Sequence, residues 1–477
     1  MQDIIGEIKT LFASISNEPI ISIGKIPQSG SIRIYFRIVT KSKTFIATYG
    51  NNIKENEVFI YFSGHFKRNN CPVPEIYAVN NEETIYIQED FGDISLLAKL
   101  EEHGYNEYVY SLFEESLKQL AHLQIKGDEG LDYDLCLTSK EFGKQAILSD
   151  LLYFKYYFLD TLQLPYDKEQ LIVDYESLSN YLSYADYKYF MFRDFQSRNI
   201  LIEKERIHFI DYQGGMKGAL QYDVASMLWQ ARTALPEEWK NNLLDYYMIC
   251  VEEIIQKEIE KKRFSDQYNG YVLIRLLQVL GAYGFRGLFE RKAHFLTAIP
   301  LGLHNLRRFL LTKKIDIDLP EFERLLSLIT EDEIISRFEP MRANAGTPLI
   351  VHINSFSFKR EIPEDGSGNG GGFVFDCRGI LNPGRLEEFK KLTGKDKPVK
   401  DFLEQQTKMP EFLNSIFDII DIAVEDYLKR DFNSLMINFG CTGGQHRSVY
   451  AAEEAARHLR NKFKVKVELR HRNESEW

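Results

Sequence analysis

The chain has 477 residues, of which 44% are hydrophobic and 27% charged, and carries a formal net charge of −11. Such a balance is that of an ordinary soluble globular protein, with length enough for two or three domains, each with its own core. No apolar run approaches the ~18 residues that span a bilayer, and Met1–Thr10 lacks the order of a secretory leader, so a cytoplasmic protein with no membrane partner is expected. Five scattered cysteines without a Cys-x2-Cys pair argue against a disulfide framework or structural zinc and for a reducing compartment. The charge is uneven: residues 349–477 hold 20 basic and 20 acidic side chains, leaving 39 against 50 before them. An acidic first part is a poor nucleic-acid surface, whereas Lys462–Arg472 is locally basic.

Taken in order, Asp3–Ser14 reads as a short amphipathic helix with Ile4, Ile5, Ile8, Leu11 and Phe12 on one side. A turn at Gly30 and Ser31 runs into an alternating strand through Ile38, and Thr44–Tyr49 supplies its hairpin partner. Thr84–Gln88 is a further strand, leading into Glu89-Asp90-Phe91-Gly92-Asp93. From Tyr105 to Leu326 the periodicity is helical, with helices expected at 106–125, 140–161, 222–232, 236–260, 266–287 and 320–328.

One stretch interrupts that pattern. Asp194 is followed by Asn199 five residues on and by Asp211 seventeen residues on, and two apolar runs, 199–202 and 207–210, lie between, parted by a charged turn. Protein-kinase-type phosphotransferases use this spacing: the loop Asp takes the proton of the acceptor hydroxyl, and the Asn and second Asp hold the metal that bridges nucleotide phosphates. Three oxygen ligands around one point suit Mg²⁺, and Arg193 or Arg198 is a candidate neutraliser of phosphoryl charge. A lone Asp-x4-Asn is commonly a turn or cap pair; the hairpin ending in Ile210-Asp211 is what raises it to a site. In a kinase lobe the backbone at Gly30 and Ser31 would close over the phosphates. The strand Thr44–Tyr49 lacks the usual phosphate-binding Lys, so Arg33 or Arg37 is expected in its place, and Glu57 is a candidate helix partner whose plainer role is a solvated face. The letters Asp90-Phe91-Gly92 precede the loop by about a hundred residues, on the wrong side for a metal-binding Asp-Phe-Gly.

The runs Arg193-Asp194-Phe195-Gln196-Ser197-Arg198-Asn199, Ile210-Asp211-Tyr212-Gln213-Gly214-Gly215 and Leu220-Gln221-Tyr222-Asp223-Val224-Ala225-Ser226 resemble the aminoglycoside-phosphotransferase-like superfamily. The similarity is greatest to its branch of cytosolic kinases acting on N-acetylmuramate and N-acetylglucosamine. This resemblance implies an α+β bilobal fold over residues 1–340, with a small β-rich lobe to residue 90 and a helical lobe over 91–340. It also implies ATP and Mg²⁺ as cofactors, an adenine contact at the Glu89–Asp90 hinge, and Asp223 as a structural fastener of the loop. Phe192 stands where relatives mostly carry His.

Glu339–Pro348 reads as a linker. Strands are expected at Leu349–Asn354, Phe373–Cys377 and Leu435–Phe439, the last running into Gly440-Cys441-Thr442-Gly443-Gly444-Gln445-His446-Arg447-Ser448 and a helix over 449–461. A strand, a glycine-rich turn and a helix N-terminus form an anion site by construction. Cys441 and Arg447 also have the spacing of cysteine phosphatases, in which the Arg grips phosphate oxygens and the loop activates the thiol. Three readings compete: a plain turn, a phosphate pocket and a phosphatase, the last needing a general acid among Asp365, Asp376 and Asp396 that the sequence does not single out. Residues 350–473 resemble the C-terminal domain of RapZ through Ser355–Lys359, Phe375–Arg378, Asn382-Pro383, Thr393–Asp396, Gly440–Ser448 and His471-Arg472. In that family the domain senses glucosamine-6-phosphate and full-length members bind a small RNA. No G-x4-G-K-[ST] loop of the family's usual N-terminal domain is present. The balanced charge does not supply the surplus an RNA surface needs.

The reading is therefore an ATP-dependent amino-sugar kinase joined, at residue 349, to an α/β module binding a phosphorylated amino sugar through Cys441, Thr442, Gly443, Gly444, His446, Arg447 and Ser448. The alternatives are a non-catalytic metabolite sensor or RNA adapter with a pseudokinase half, and a Cys441 phosphatase.

Overall fold

The structure is a computed structural model that describes residues 2–26, 33–290, 293–339, 342–368 and 371–476. Gly30 and Ser31 lie outside the described residues. The chain divides into two compact units, Met1–Glu290 with Ala298–Ile335, and Arg291–Thr297 with Ser336–Trp477.

The first unit opens with α1 (Gln2–Ala13) and an antiparallel sheet built from β1 (Ser22–Lys25), β2 (Ile34–Val39), β3 (Thr44–Tyr49), β4 (Ile76–Val79) and β5 (Ile85–Glu89), in the order β1-β2-β3-β5-β4. Alternation along β2 and β5 sends Phe36, Ile38, Ile85 and Ile87 to one face, where Ile8 and Phe12 of α1 cover them. Between β3 and β4 runs α2 (Ile53–Arg68), started by the Asn52 side chain accepting from Glu55 N–H. Its stripe Phe59, Phe62 and Phe66 is buried, and Asn56 ties it to the Gly50 and Glu83 carbonyls.

The remainder of this unit is helical: α3 (Leu96–His103), α4 (Glu107–Lys126), α5 (Lys144–Tyr157), α6 (Lys168–Ser183), α7 (Gln221–Leu228), α8 (Glu237–Ile255) and α9 (Lys261–Tyr283). Two strand pairs interrupt it, β6 (Lys188–Met191) with β9 (Met216–Ala219), and β7 (Ile200–Glu203) with β8 (Arg206–Phe209). A small β-rich lobe followed by a helical lobe is the architecture expected. The chain then passes through the single turn α10 (Ala293–Leu296), which belongs to the second unit, before α11 (Ile299–Thr312), α12 (Pro320–Ile329) and α13 (Asp332–Ser336). One expectation needs correction. The helical stretch Lys261–Phe289 has an 18-residue window of mean hydropathy 1.4, long and apolar enough to cross a membrane by length and composition alone. Tyr271, Leu273, Ile274 and Leu277 of α9 are nonetheless buried in the unit, with α5, α7 and α11 packed around the helix.

The second unit is a parallel sheet of β10 (Ile350–Ser357), β11 (Phe373–Asp376), β12 (Ser434–Cys441) and β13 (Lys466–His471), in the order β11-β12-β10-β13, the separate α/β domain expected. Its helices are α14 (Lys397–Gln406), α15 (Met409–Lys429) and α16 (Arg447–Phe463). The core runs from Val351 and Ile353 through Ile437 and Phe439 to Ala452, Ala455 and Leu459 of α16. Chain leaving β10 crosses to β11 while chain leaving β12 crosses to β13, so the carboxyl ends of the two central strands flank a topological switch point.

Candidate functional sites

β6 delivers the chain to the loop Phe192–Asn199. Asp223, on α7, accepts the backbone N–H of Phe192 (2.7 Å) and of Arg193 (3.0 Å), and the Gln124 amide at 2.8 Å. This carboxyl is fully buried; burial pushes its pKa up to about 7, against the downward pull of those three donors. Phe192 packs edge-on to Phe195, Phe209 and Tyr212. The apolar ring fills the place under the loop, and Asp223 supplies its polar fastening.

Arg193 and Asp211 both have positive φ, 77° and 73°, a conformation costing a non-glycine residue on the order of 1–2 kcal/mol. Arg193 is pinned there by Asp150, at 2.9 and 3.1 Å, and by the Tyr222 hydroxyl at 3.1 Å, with Phe142 against its guanidinium. This corrects the expectation for Arg193: its charge is spent on Asp150 rather than offered to a phosphoryl group. Arg198 does reach the site, its Nη2 standing 3.5 Å from Asp194 Oδ2.

Asp194 Oδ1 accepts from Gln196 Nε2 at 2.5 Å and from Arg275 Nη2 at 3.1 Å. Asn199 Nδ2 donates to the Asp194 carbonyl at 2.9 Å and lies 3.4 Å from Asp211 Oδ2. Asp211 Oδ1 meets Gln213 Nε2 at 3.1 Å and Arg33 Nη2 at 3.3 Å. Arg33, buried, also reaches Glu55 at 3.4 Å and the Tyr86 hydroxyl at 3.4 Å. An Arg–Glu pair, Arg33 with Glu55, therefore stands beside Asp211, the Arg coming from the residue before β2 rather than from β3. Glu57 is exposed, as its plainer reading had it. Arg37 does not share the role, because it is forked between Asp90 (2.7 and 3.0 Å) and Asp93 (2.6 and 2.8 Å).

A cavity of about 330 Å³ joins these groups to the hinge, lined by Arg33, Gln88, Glu89, Asp90, Asn199 and Asp211 over an apolar floor of Ile46, Leu201 and Ile210. Gln88 Oε1 is buried there without a hydrogen-bond partner. The Asp90-Phe91-Gly92 run belongs to this hinge, Phe91 stacking on His208. With its Nδ2 committed to a carbonyl, Asn199 has its amide oxygen left for a cation, and Asp211 adds a carboxylate. Such hard oxygen donors fit Mg²⁺, which takes one or two carboxylates and fills the rest from phosphates and water. Among the described residues no cluster of three or more His, Cys, Asp or Glu that could hold a metal ion is found, in this cleft or outside it.

In the second unit β12 ends at Cys441 and α16 starts at Arg447, with His446 providing no side-chain cap. Cys441 Sγ accepts the Gly444 N–H at 3.2 Å and lies 3.1 Å from Ser448 Oγ. Gly444 has φ 70°, and a Cβ there would sit 2.7 Å from Asn473 Oδ1, so glycine is required on both counts. Arg447, 4% exposed, donates through Nη1 to the Arg378 (3.1 Å) and Ile380 (2.7 Å) carbonyls, and its Nη2 stands 3.4 Å from Thr442 Oγ1. Its Nε is buried with no partner. One edge of the guanidinium is thus anchored, and the Nε edge is left for an acceptor. His446 is a correction: Nε2 bonds the Phe389 carbonyl at 2.9 Å, and burial lowers its pKa, so it latches the loop rather than facing a ligand. Gly394 closes the same latch, its N–H on the Gln445 carbonyl at 2.9 Å. Ser357, within the run Ser355–Lys359, donates its hydroxyl to the Thr442 carbonyl at 2.7 Å, and Asn473, which the sequence did not single out, accepts the Ser357 N–H at 2.9 Å.

Comparison with known proteins agrees with this division. Residues 33–253 match the phosphotransferase enzyme family, and residues 349–475 match the RapZ C-terminal domain. Each unit thus contains a segment that matches one of these two families. A nucleotide-binding protein of Fervidobacterium nodosum is 42% identical over 123 residues, 26% of this chain and 42% of its own length. The chain spans less than half the length of the curated relatives it matches. Among solved structures, a choline kinase from Cryptosporidium parvum covers 68% of this chain and 99% of its own at 14% identity and TM-score 0.46. The amicoumacin kinase hAmiN, in complex with AMP-PNP, Ca²⁺ and Ami, covers 66% and 96% at 8% identity and TM-score 0.46. The first unit has the protein-kinase-like fold.

Proposed function

We propose that the first unit transfers the γ-phosphoryl group of ATP to a hydroxyl of an amino sugar of the N-acetylmuramate or N-acetylglucosamine type, in the cytoplasm. The second unit binds a phosphorylated amino sugar. The observation that carries the kinase reading is the Asp194 carboxylate, anchored at Oδ1 on a loop whose Asn199 meets Asp211 at the mouth of the cleft. Adenine lies between the hinge at Glu89–Asp90 and the floor of Ile46, Leu201 and Ile210. Asp194 Oδ2 takes the acceptor proton as the hydroxyl oxygen bonds to the γ-phosphorus and the bond to ADP breaks. Arg198 lies close enough to neutralise charge on the transferred group. Asn199 and Asp211 would hold Mg²⁺, which would supply charge neutralisation on the phosphates.

The acceptor class rests on the resemblance of residues 193–226 to amino-sugar kinases and on the domain that follows. A test is ADP release with ATP, Mg²⁺ and a panel of N-acetylated amino sugars. Stimulation by at least one sugar is expected, and a flat panel contradicts the acceptor assignment. In the second unit the carrying observation is the buried, unpartnered Arg447 Nε beside an uncapped helix N-terminus, a fork suited to a phosphate monoester. Arg447→Ala is expected to abolish hexosamine-phosphate binding in calorimetry, and unchanged affinity refutes the site. The Gly444 N–H and the Ser448 hydroxyl against Cys441 Sγ keep hydrolysis as the second reading. Release of phosphate from an aryl phosphate, lost in Cys441→Ser, would favour it.

A further inference from the structure

Arg275 is the one ionic contact to Asp194 that comes from outside the loop in the interactions described. It sits midway along α9 in the apolar run Tyr271-Val272-Leu273-Ile274-Arg275-Leu276-Leu277, 6% exposed. A guanidinium buried in such a run loses its hydration, so its donors must meet acceptors. Nη2 reaches Asp194 Oδ1 at 3.1 Å, Nε reaches Ser226 Oγ at 2.9 Å, and Nη1 reaches Gln278 Oε1. Ser226 is on α7, three residues after Asp223, which fastens the loop backbone at Phe192 and Arg193. Two straps thus converge from one helix, with Asp223 holding the main chain and Ser226, through Arg275, holding the carboxylate.

Resting on the phosphotransferase reading, we propose that Arg275 is the positioning residue of the base: it and Gln196 occupy Oδ1 and so dedicate Oδ2 to the acceptor hydroxyl. Oδ2 has Arg198 at 3.5 Å, beyond a good hydrogen bond to a guanidinium, and the Asp194 side chain is 36% exposed. Without Arg275 only Gln196, a neighbour on the same loop, restrains Oδ1, and either oxygen can be presented at the wrong angle. A misplacement of about 1 Å at such a centre costs on the order of 10²-fold in rate.

The test is steady-state transfer by the full chain, with kcat expressed per nucleotide-binding site by titration with a non-hydrolysable ATP analogue. Arg275→Met keeps length and suits the apolar helix. It is expected to lower kcat about 10²-fold while KM for ATP stays within about twofold. Arg275→Lys, which keeps a cation but not the fork, recovers part of the loss. Ser226→Ala moves kcat in the same direction by less. A merely structural role would lower the titrated site concentration and leave kcat per site unchanged, and that result overturns the proposal. If wild type transfers nothing, the phosphotransferase reading falls and this one with it. If wild type is active, Asp194→Asn is inactive and Arg275→Met keeps wild-type kcat, the role of Arg275 alone falls.

Discussion

Asp223 and Glu55 show what single carboxylates do around the cleft. Removing Asp223 strands the N–H groups of Phe192 and Arg193 and the Gln124 amide in a dry site. At about 1–3 kcal/mol for each unsatisfied group, Asp223→Ala is expected to cost at least about 3 kcal/mol in chemical denaturation, and Asp223→Asn, which keeps one acceptor, distinctly less. Glu55→Gln is expected to weaken ATP binding by freeing Arg33 from its orientation, whereas Glu57→Gln leaves it unchanged; equal effects would refute the pairing. The choice between the two acids was legible in principle. Phe59, Phe62 and Phe66 mark the inward stripe of α2, and Glu55 lies four residues before Phe59 on that stripe while Glu57 does not. Arg275 carried a signal too, as a lone charge in an apolar run that must find a partner, but which partner depends on contacts 81 residues away. Arg193 and His446 were misassigned because adjacency to a motif does not say which way a side chain leaves the backbone.

The elements with strong periodicity were legible, and the junctions between them less so. The expected helix over 106–125 is observed as Glu107–Lys126, and that over 320–328 as Pro320–Ile329. The pair β6 and β9 was hidden because its two short strands are separated by the whole loop and hairpin, whereas β7 and β8, equally short, are joined by a tight charged turn. α6 and α11 were missed as well, although the first has Asp167 as its cap and the second Pro300 in its first turn. At the start of α16, His446 and, at the sheet edge, His471 are both held below the ordinary histidine pKa, chiefly by burial. A depressed folded-state pKa means the unfolded chain binds the proton more tightly, so stability is present above about pH 6.5 and is lost as pH falls through the folded value. Hydrogen exchange of peptides covering 440–460 is therefore expected to speed up between pH 7 and pH 5, after correction for intrinsic rates. His446→Gln is expected to flatten that dependence.

At the scale of the whole chain, two units with separate apolar cores predict two unfolding transitions. ATP with Mg²⁺ is expected to raise one and a hexosamine phosphate the other in calorimetry, since each ligand stabilises the unit that binds it. Arg447→Ala should abolish only the second shift. On the proposed reading, both units would act on one class of metabolite, an amino sugar before and after phosphorylation, as enzyme and sensor in one chain. The central claim is that Asp194 is the base of a phosphoryl transfer to a sugar hydroxyl. It is tested most directly by ³¹P NMR of wild type and Asp194→Asn incubated with ATP, Mg²⁺ and N-acetylated amino sugars. The account predicts a new sugar-phosphate resonance with wild type, and a rate about 10²–10⁴-fold lower with Asp194→Asn. No sugar phosphate from wild type, or undiminished product from the variant, would contradict it.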